Sequence, residues 1–116
     1  MADLLEVDLT DEERTLLVSG LNEWGGSARP TPDVAKLMGF GGVEALLREG
    51  GVIARKVKAR EPLSAADWRR ALFATEIVFV SDLVGSGVDW ATTTGLTDEQ
   101  SIRLLRDVQR KLVGLA

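Results

Sequence analysis

The sequence predicts an all-α fold, a single compact bundle of about five helices around a helix at residues 64–84, preceded by a short extended arm. Three observations carry this. Ser or Thr stands three residues before Asp, Glu or Gln at Thr10, Ser64 and Thr97, the signature of a helix start; apolar residues recur at helical spacing after each; and Gly or Pro closes the runs. Period-two alternation is confined to Leu5-Glu6-Val7-Asp8-Leu9. With 116 residues, 45% apolar and 28% charged, the chain suits one domain with one core. Residues 1–9 form an acidic arm and residues 10–116 the helical domain.

The arm has one apolar side, which can lie over the domain's own core or pair with a second copy, so a homodimer stays open. Thr10 and Glu13 form a capping box, and Asp11, Glu12 and Glu13 sit at the positive end of the helix dipole. Leu17, Leu21 and Trp24, flanked by Leu16, make the core stripe of this first helix. Gly25-Gly26 closes it with residues free to adopt a left-handed stop. Thr31-Pro32 opens a short helix that ends near Met38-Gly39. Val43, Leu46, Leu47, Ile53 and Val57 then mark one helix to about Arg60, bent at Gly50-Gly51. That glycine pair costs roughly 2 kcal/mol relative to alanines, so it marks a kink or a close helix crossing.

Ser64 and Asp67 open the segment that runs to Val84, and Gly85-Ser86-Gly87 stops it. Asp89 can cap a single turn holding Trp90 and Thr92 to Thr94, closed by Gly95. Thr97 and Gln100 form a further capping box before a last helix with Ile102, Leu105, Val108, Leu112 and Leu115 on its stripe.

Absent residue types narrow the chemistry. Without Cys there is no thiolate nucleophile, disulfide or zinc thiolate, and without His there is no imidazole base or ligand. Carboxylate chemistry remains, but no spacing supports a catalytic, metal or cofactor site, and none is predicted. The net charge of −4 opposes nucleic acid, with six acids (Asp3, Glu6, Asp8, Asp11, Glu12, Glu13) gathered in the first fourteen residues. No apolar run approaches the roughly 20 residues of a membrane span, and the amino terminus is acidic where a signal or transit peptide would be basic. Cytoplasmic residence is the expectation.

On a helix over residues 65–84, Trp68, Leu72, Phe73, Ile77, Phe79, Val80 and Leu83 share one half of the circumference, which predicts that half as the core face. Arg69 and Glu76 fall near its middle. A buried carboxylate without a partner would cost several kcal/mol or shift its pKa upward, so Glu76 requires one. Arg69 is two turns away, about 10.5 Å, so an arginine of the last helix (Arg103, Arg106 or Arg110) is the better candidate. The structural reading is an ion pair that fixes helix register. The functional reading is a ligand cleft built on Glu76, Arg69 and Trp68.

Other signals are weaker. Residues 31–47 resemble the first helix and turn of a helix-turn-helix, but the second helix would offer Gly41, Glu44 and Glu49 to DNA. Arg55, Lys56, Lys58 and Arg60 could touch phosphate, yet also simply complement a helix end. Gly39-Phe40-Gly41-Gly42 lacks the strand and Lys-Ser/Thr of a phosphate loop. Trp90, beside Asp89, Thr92 and Thr93, has the composition of a partner-binding anchor, or it folds back over the preceding helix.

Two stretches, Gly20-Leu21-Asn22-Glu23-Trp24-Gly25-Gly26 and Ala74-Thr75-Glu76-Ile77-Val78-Phe79-Val80-Ser81-Asp82, resemble segments of uncharacterised small helical proteins of high-GC actinobacteria. That resemblance implies no activity.

The leading functional expectation is a non-enzymatic protein-interaction module of inhibitor, immunity or antitoxin type. A small-ligand domain using Glu76 and a DNA-associated regulator through residues 31–47 are the alternatives.

Overall fold

The structure, a computed structural model, describes residues 3–115. Six α-helices occupy most of them: α1 (Asp11–Asn22), α2 (Pro32–Leu37), α3 (Val43–Lys58), α4 (Ala65–Val80), α5 (Trp90–Thr94) and α6 (Asp98–Leu112). Two short strands, β1 (Leu4–Leu5) and β2 (Leu63–Ser64), pair antiparallel with Leu4 opposite Ser64. The fold is therefore an all-α bundle. The first two residues of the predicted arm, and Ala116, lie outside the described residues.

Four of the predicted helix starts, at Thr10, Thr31, Ser64 and Thr97, are made by the predicted atoms. Both partners of the Thr10–Glu13 and Thr97–Gln100 boxes form their reciprocal bonds, Thr31 caps α2 with Pro32 in its first turn, and Ser64 Oγ accepts from Asp67 N–H at 3.1 Å. Asp89 makes no capping bond with its side chain, since a 3-10 turn at Gly87–Asp89 leads directly into α5. Gly95 closes α5 in the left-handed region, with φ 79°. Gly25 and Gly26 do not act this way: α1 runs into a 3-10 turn at Glu23–Gly25, and Gly26 has φ −118°. Tightening the last turn satisfies the carbonyls without a left-handed residue.

Helix α3 passes through Gly50-Gly51 without interruption, and Gly50 is buried with Leu21 of α1 against it. A Cβ at Gly50 would meet Leu21 at an ordinary 3.9 Å, so the crossing there does not require a glycine.

The middle of the bundle is α1, which packs on α3, α4 and α6. The arm lies against its own domain. Leu9 is buried, the Leu5 carbonyl accepts from Trp68 Nε1, the Val7 carbonyl accepts from Arg14 Nη2, and the Asp8 carbonyl accepts from Lys111 Nζ.

Two core faces differ from those the apolar pattern predicts. Helix α4 ends at Val80, not Val84, and buries Trp68, Ala71, Ala74, Thr75 and Val78. At about 100° per residue this face is centred some 150° from the half predicted as core. Small residues decide it: Ala71, Ala74 and Thr75 let α1 approach at Gly20, and an aligned pair of smooth helix surfaces excludes more water than bulky side chains standing apart. In α6, Ser101 and Leu104 are buried and Ile102 is exposed, because the Ser101 hydroxyl is drawn inward to accept from Trp90 Nε1 at 2.7 Å.

Candidate functional site

Turning α4 about its axis brings two of its bulky apolar residues, Phe73 and Val80, to the surface. Arg69 is exposed, Phe73 is 36% and Val80 73% exposed, and Glu76 and Ile77 are half-buried. These residues stand at intervals of four, three and four (69, 73, 76, 80), one seam along the helix with Ile77 beside it. Beyond the helix end, Leu83 is 85% exposed. The strip is the main candidate for a functional surface.

Glu76 borders it. Its Oε2 accepts from Gln109 Nε2 of α6 at 2.5 Å. The partner does come from the last helix, but it is a neutral amide rather than Arg103, Arg106 or Arg110. Arg106 donates instead to Gln109 Oε1, and Arg110 to Asp107. Neither Glu76 nor Arg69 forms an ion pair among the described residues. A half-buried carboxylate at a helix edge still has water as a partner beside its one amide donor, so the full pairing required of a core position is not required here.

Between α4 and α6 lies an open depression of about 450 Å³ lined by Leu72, Glu76, Arg106, Gln109, Arg110 and Val113. The predicted ligand trio does not converge in it. Trp68 is buried on the opposite flank of α4 and lines a separate depression under residues 6–9 of the arm. Arg69 lies on the open face.

The predicted partner patch also separates. Trp90 has no exposed surface, packs edge-on against Phe79 at 5.5 Å between ring centres, and gives its N–H to Ser101. It is a core residue, which corrects its reading as an anchor; the apolar wall of Phe79 and α6 offered more burial than solvent did. Asp89, Thr92 and Thr93 are exposed.

Thr93 belongs to a polar cluster that sequence reasoning missed. The half-buried Glu23 Oε1 accepts from Ser27 Oγ at 3.0 Å, from Ser86 Oγ at 2.7 Å, and from Thr93 Oγ1. The Ser27 and Ser86 hydroxyls also lie 2.6 Å apart, so either can give its proton to the other in place of Glu23. Three hydroxyls on one carboxylate tie the 85–94 segment to the end of α1. No imidazole is present to activate either serine, and the cluster acts as a structural clasp. Its members are up to seventy residues apart in sequence, so no local signal marks it.

A second missed pair joins the termini. Glu13, only 3% exposed, accepts from Lys111 Nζ at 2.6 Å. Burial pushes its carboxyl upward, but the Lys111 ammonium and the Thr10 N–H outweigh that and hold it below the ordinary value.

Among the described residues, no group of three or more acidic side chains is placed to hold a metal ion, and no helix is long and apolar enough to cross a membrane. Compared with protein-family models, curated proteins and solved structures, the chain matches none. The site must therefore be read from its own geometry.

Proposed function

We propose that this chain is a non-enzymatic protein-interaction module whose contact surface is the solvent face of α4. The observation that supports this most is Val80, an apolar side chain 73% exposed, in line with Phe73 on a rigid helix. A helix packed on a core normally turns its polar residues to water. Helix α4 departs from this in part: Trp68, Val78, two alanines and a threonine face inward, yet Phe73 and Val80 face outward with Ile77 half-buried beside them. Burying one such side chain is worth about 1.5–3 kcal/mol, which a partner surface recovers and water does not. Arg69 and Glu76, interleaved with them, add the charge pattern that selects one partner over another. An inhibitor, immunity or antitoxin type of action needs such a surface and no catalytic group.

Two alternatives weigh less. A small ligand at Glu76 would find neither Arg69 nor Trp68 in the same depression. Against DNA binding through residues 31–47, Arg48 is engaged by Glu44 and Glu49 at the exposed start of α3, which leaves that turn acidic.

A photo-crosslinking amino acid placed at Val80 tests the reading in the native host lysate, with the same group at exposed Thr92 as control. Adducts to a polypeptide, either another copy or a different chain, are expected from position 80 alone. No adduct at 80, or equal adducts from both positions, removes it.

A further inference from the structure

We infer that the solvent face of α4 pairs with the same face of a second copy of this chain, antiparallel, about a two-fold axis passing between Leu72 and Phe73. This rests on the interaction-module reading and names its partner. Under a two-fold axis, whatever residue i meets on the second copy must meet i in return. Arg69 and Glu76 satisfy that condition about the Leu72–Phe73 midpoint. They lie seven residues apart, about 10.5 Å along the axis, and about 20° apart around it, so the rotation sets Arg69 of each copy opposite Glu76 of the other.

The charges needed for this are free. Neither residue has an ion pair within its own chain among the described residues, and Glu76 is held only by the Gln109 amide, which leaves its second oxygen to accept. Between the two crossed ion pairs, Phe73 meets Phe73 of the second copy on one side of the contact line and Leu72 meets Leu72 on the other. Val80 falls opposite Ala65, a small residue that leaves room for it. A parallel pairing would set Arg69 on Arg69 and Glu76 on Glu76, so the charges select the antiparallel one. A foreign partner would have to carry the opposite charges at the same interval; the chain's own two-fold image carries them already. The strip spans a helix of roughly 24 Å and is narrower than a standard interface of about 800 Å² per partner, so association depends on concentration.

Sedimentation equilibrium of the full chain over a wide concentration range tests the pairing. Wild type associates to a dimer. Arg69→Glu and Glu76→Arg each weaken it about a hundredfold, since two attractions become two repulsions. An equimolar mixture of the two variants restores the dimer: the glutamate introduced at position 69 of one meets the arginine introduced at position 76 of the other, and the unchanged Glu76 of the first meets the unchanged Arg69 of the second. Arg69 has no side-chain bond to lose among the described residues, so Arg69→Glu against Arg69→Lys, which keeps the dimer, decides the matter even if Glu76→Arg fails to fold. A wild type monomeric throughout, singles that still dimerise, or folded variants whose mixture stays monomeric overturns the pairing. A monomeric wild type that still crosslinks a different chain at position 80 overturns it while leaving the interaction module standing; loss of all crosslinks removes both.

Discussion

Gly20 of α1 and Thr75 of α4 meet backbone to backbone. A Cβ placed on Gly20 would stand 2.8 Å from the Thr75 Cα and 2.7 Å from its Cβ, distances that real side chains do not tolerate. Contact this close exists only because residue 20 has no side chain, and it sets which half of α4 is buried. Through that choice it puts Phe73 and Val80 in solvent.

Gly20→Ala is therefore expected to destabilise, although alanine is the better helix former by about 1 kcal/mol. The atoms it meets belong to backbone and to a threonine whose hydroxyl is already committed to the Ala71 carbonyl at 2.8 Å, so they cannot swing aside. Overpacking of a close crossing costs about 1–3 kcal/mol, and separating the helices also loosens the buried Leu17 and Leu21. Urea unfolding should show a net loss above about 1 kcal/mol; an unchanged or raised midpoint would show that α1 and α4 slide apart freely.

Acid should weaken the junction of α1 and α6. The Glu13 carboxyl lies below its ordinary 4.5 in the folded chain, because Lys111 and the Thr10 N–H outweigh its burial. A lowered folded value means the stabilisation is fully present above the unfolded pKa and is lost as pH falls through the folded one. Stability at pH 7 should exceed that at pH 3 for this reason among others. In Lys111→Met the buried carboxyl is left with its capping bonds alone, and its pKa rises. That variant should lose about 1–3 kcal/mol at pH 7 and show a shallower decline toward acid. Parallel pH profiles for the two proteins would mean the pair does not carry the dependence.

Trp90→Ala is expected to unfold the carboxyl-terminal third rather than to remove a binding contact. The indole is wholly buried against Phe79 and its N–H is taken by Ser101. Truncating such a side chain costs about 3–5 kcal/mol. Ser101→Ala isolates one part of that, leaving a buried donor unpaired for about 1–3 kcal/mol. Thermal melts of the two variants should rank in that order, with photo-crosslinking at position 80 unaffected in Ser101→Ala. A folded Trp90→Ala of wild-type stability would make this residue a surface anchor after all.

Local chemistry is readable in the sequence and orientation is not. Thr10, Thr31, Ser64 and Thr97 open helices because a hydroxyl beside free N–H groups acts within one turn, whatever the rest of the chain does. The apolar pattern turns α4 the wrong way because weighing bulky residues undervalues Ala71, Ala74 and Thr75. Their worth appears only when Gly20, far earlier in the chain, lies against them. The requirement that Glu76 find a partner on the last helix is met, by Gln109 rather than an arginine. The partner's type depends on burial depth, and burial depth depends on the helix rotation that the pattern misses. Glu23 and its three hydroxyls are hidden for the same reason, being a contact among distant segments.

Arg60 offers a stabilising change. It follows α3 at φ 62°, the only residue other than glycine with positive φ among those described. Its N–H donates to the Val57 carbonyl and the next N–H, of Glu61, donates to that of Lys56, which together close the helix in the left-handed manner. A side chain in that conformation costs about 1–2 kcal/mol. Arg60→Gly relieves it, against a penalty of about 0.4–1 kcal/mol from the freer unfolded chain. The ion pair that Arg60 makes with Asp11 is exposed on both sides and contributes little. A net gain of about 0.5–1 kcal/mol is therefore expected in urea unfolding, with the helix content unchanged. Destabilisation by the same amount would mean that the arginine's contacts with α1, rather than the turn's conformation, govern this corner of the fold.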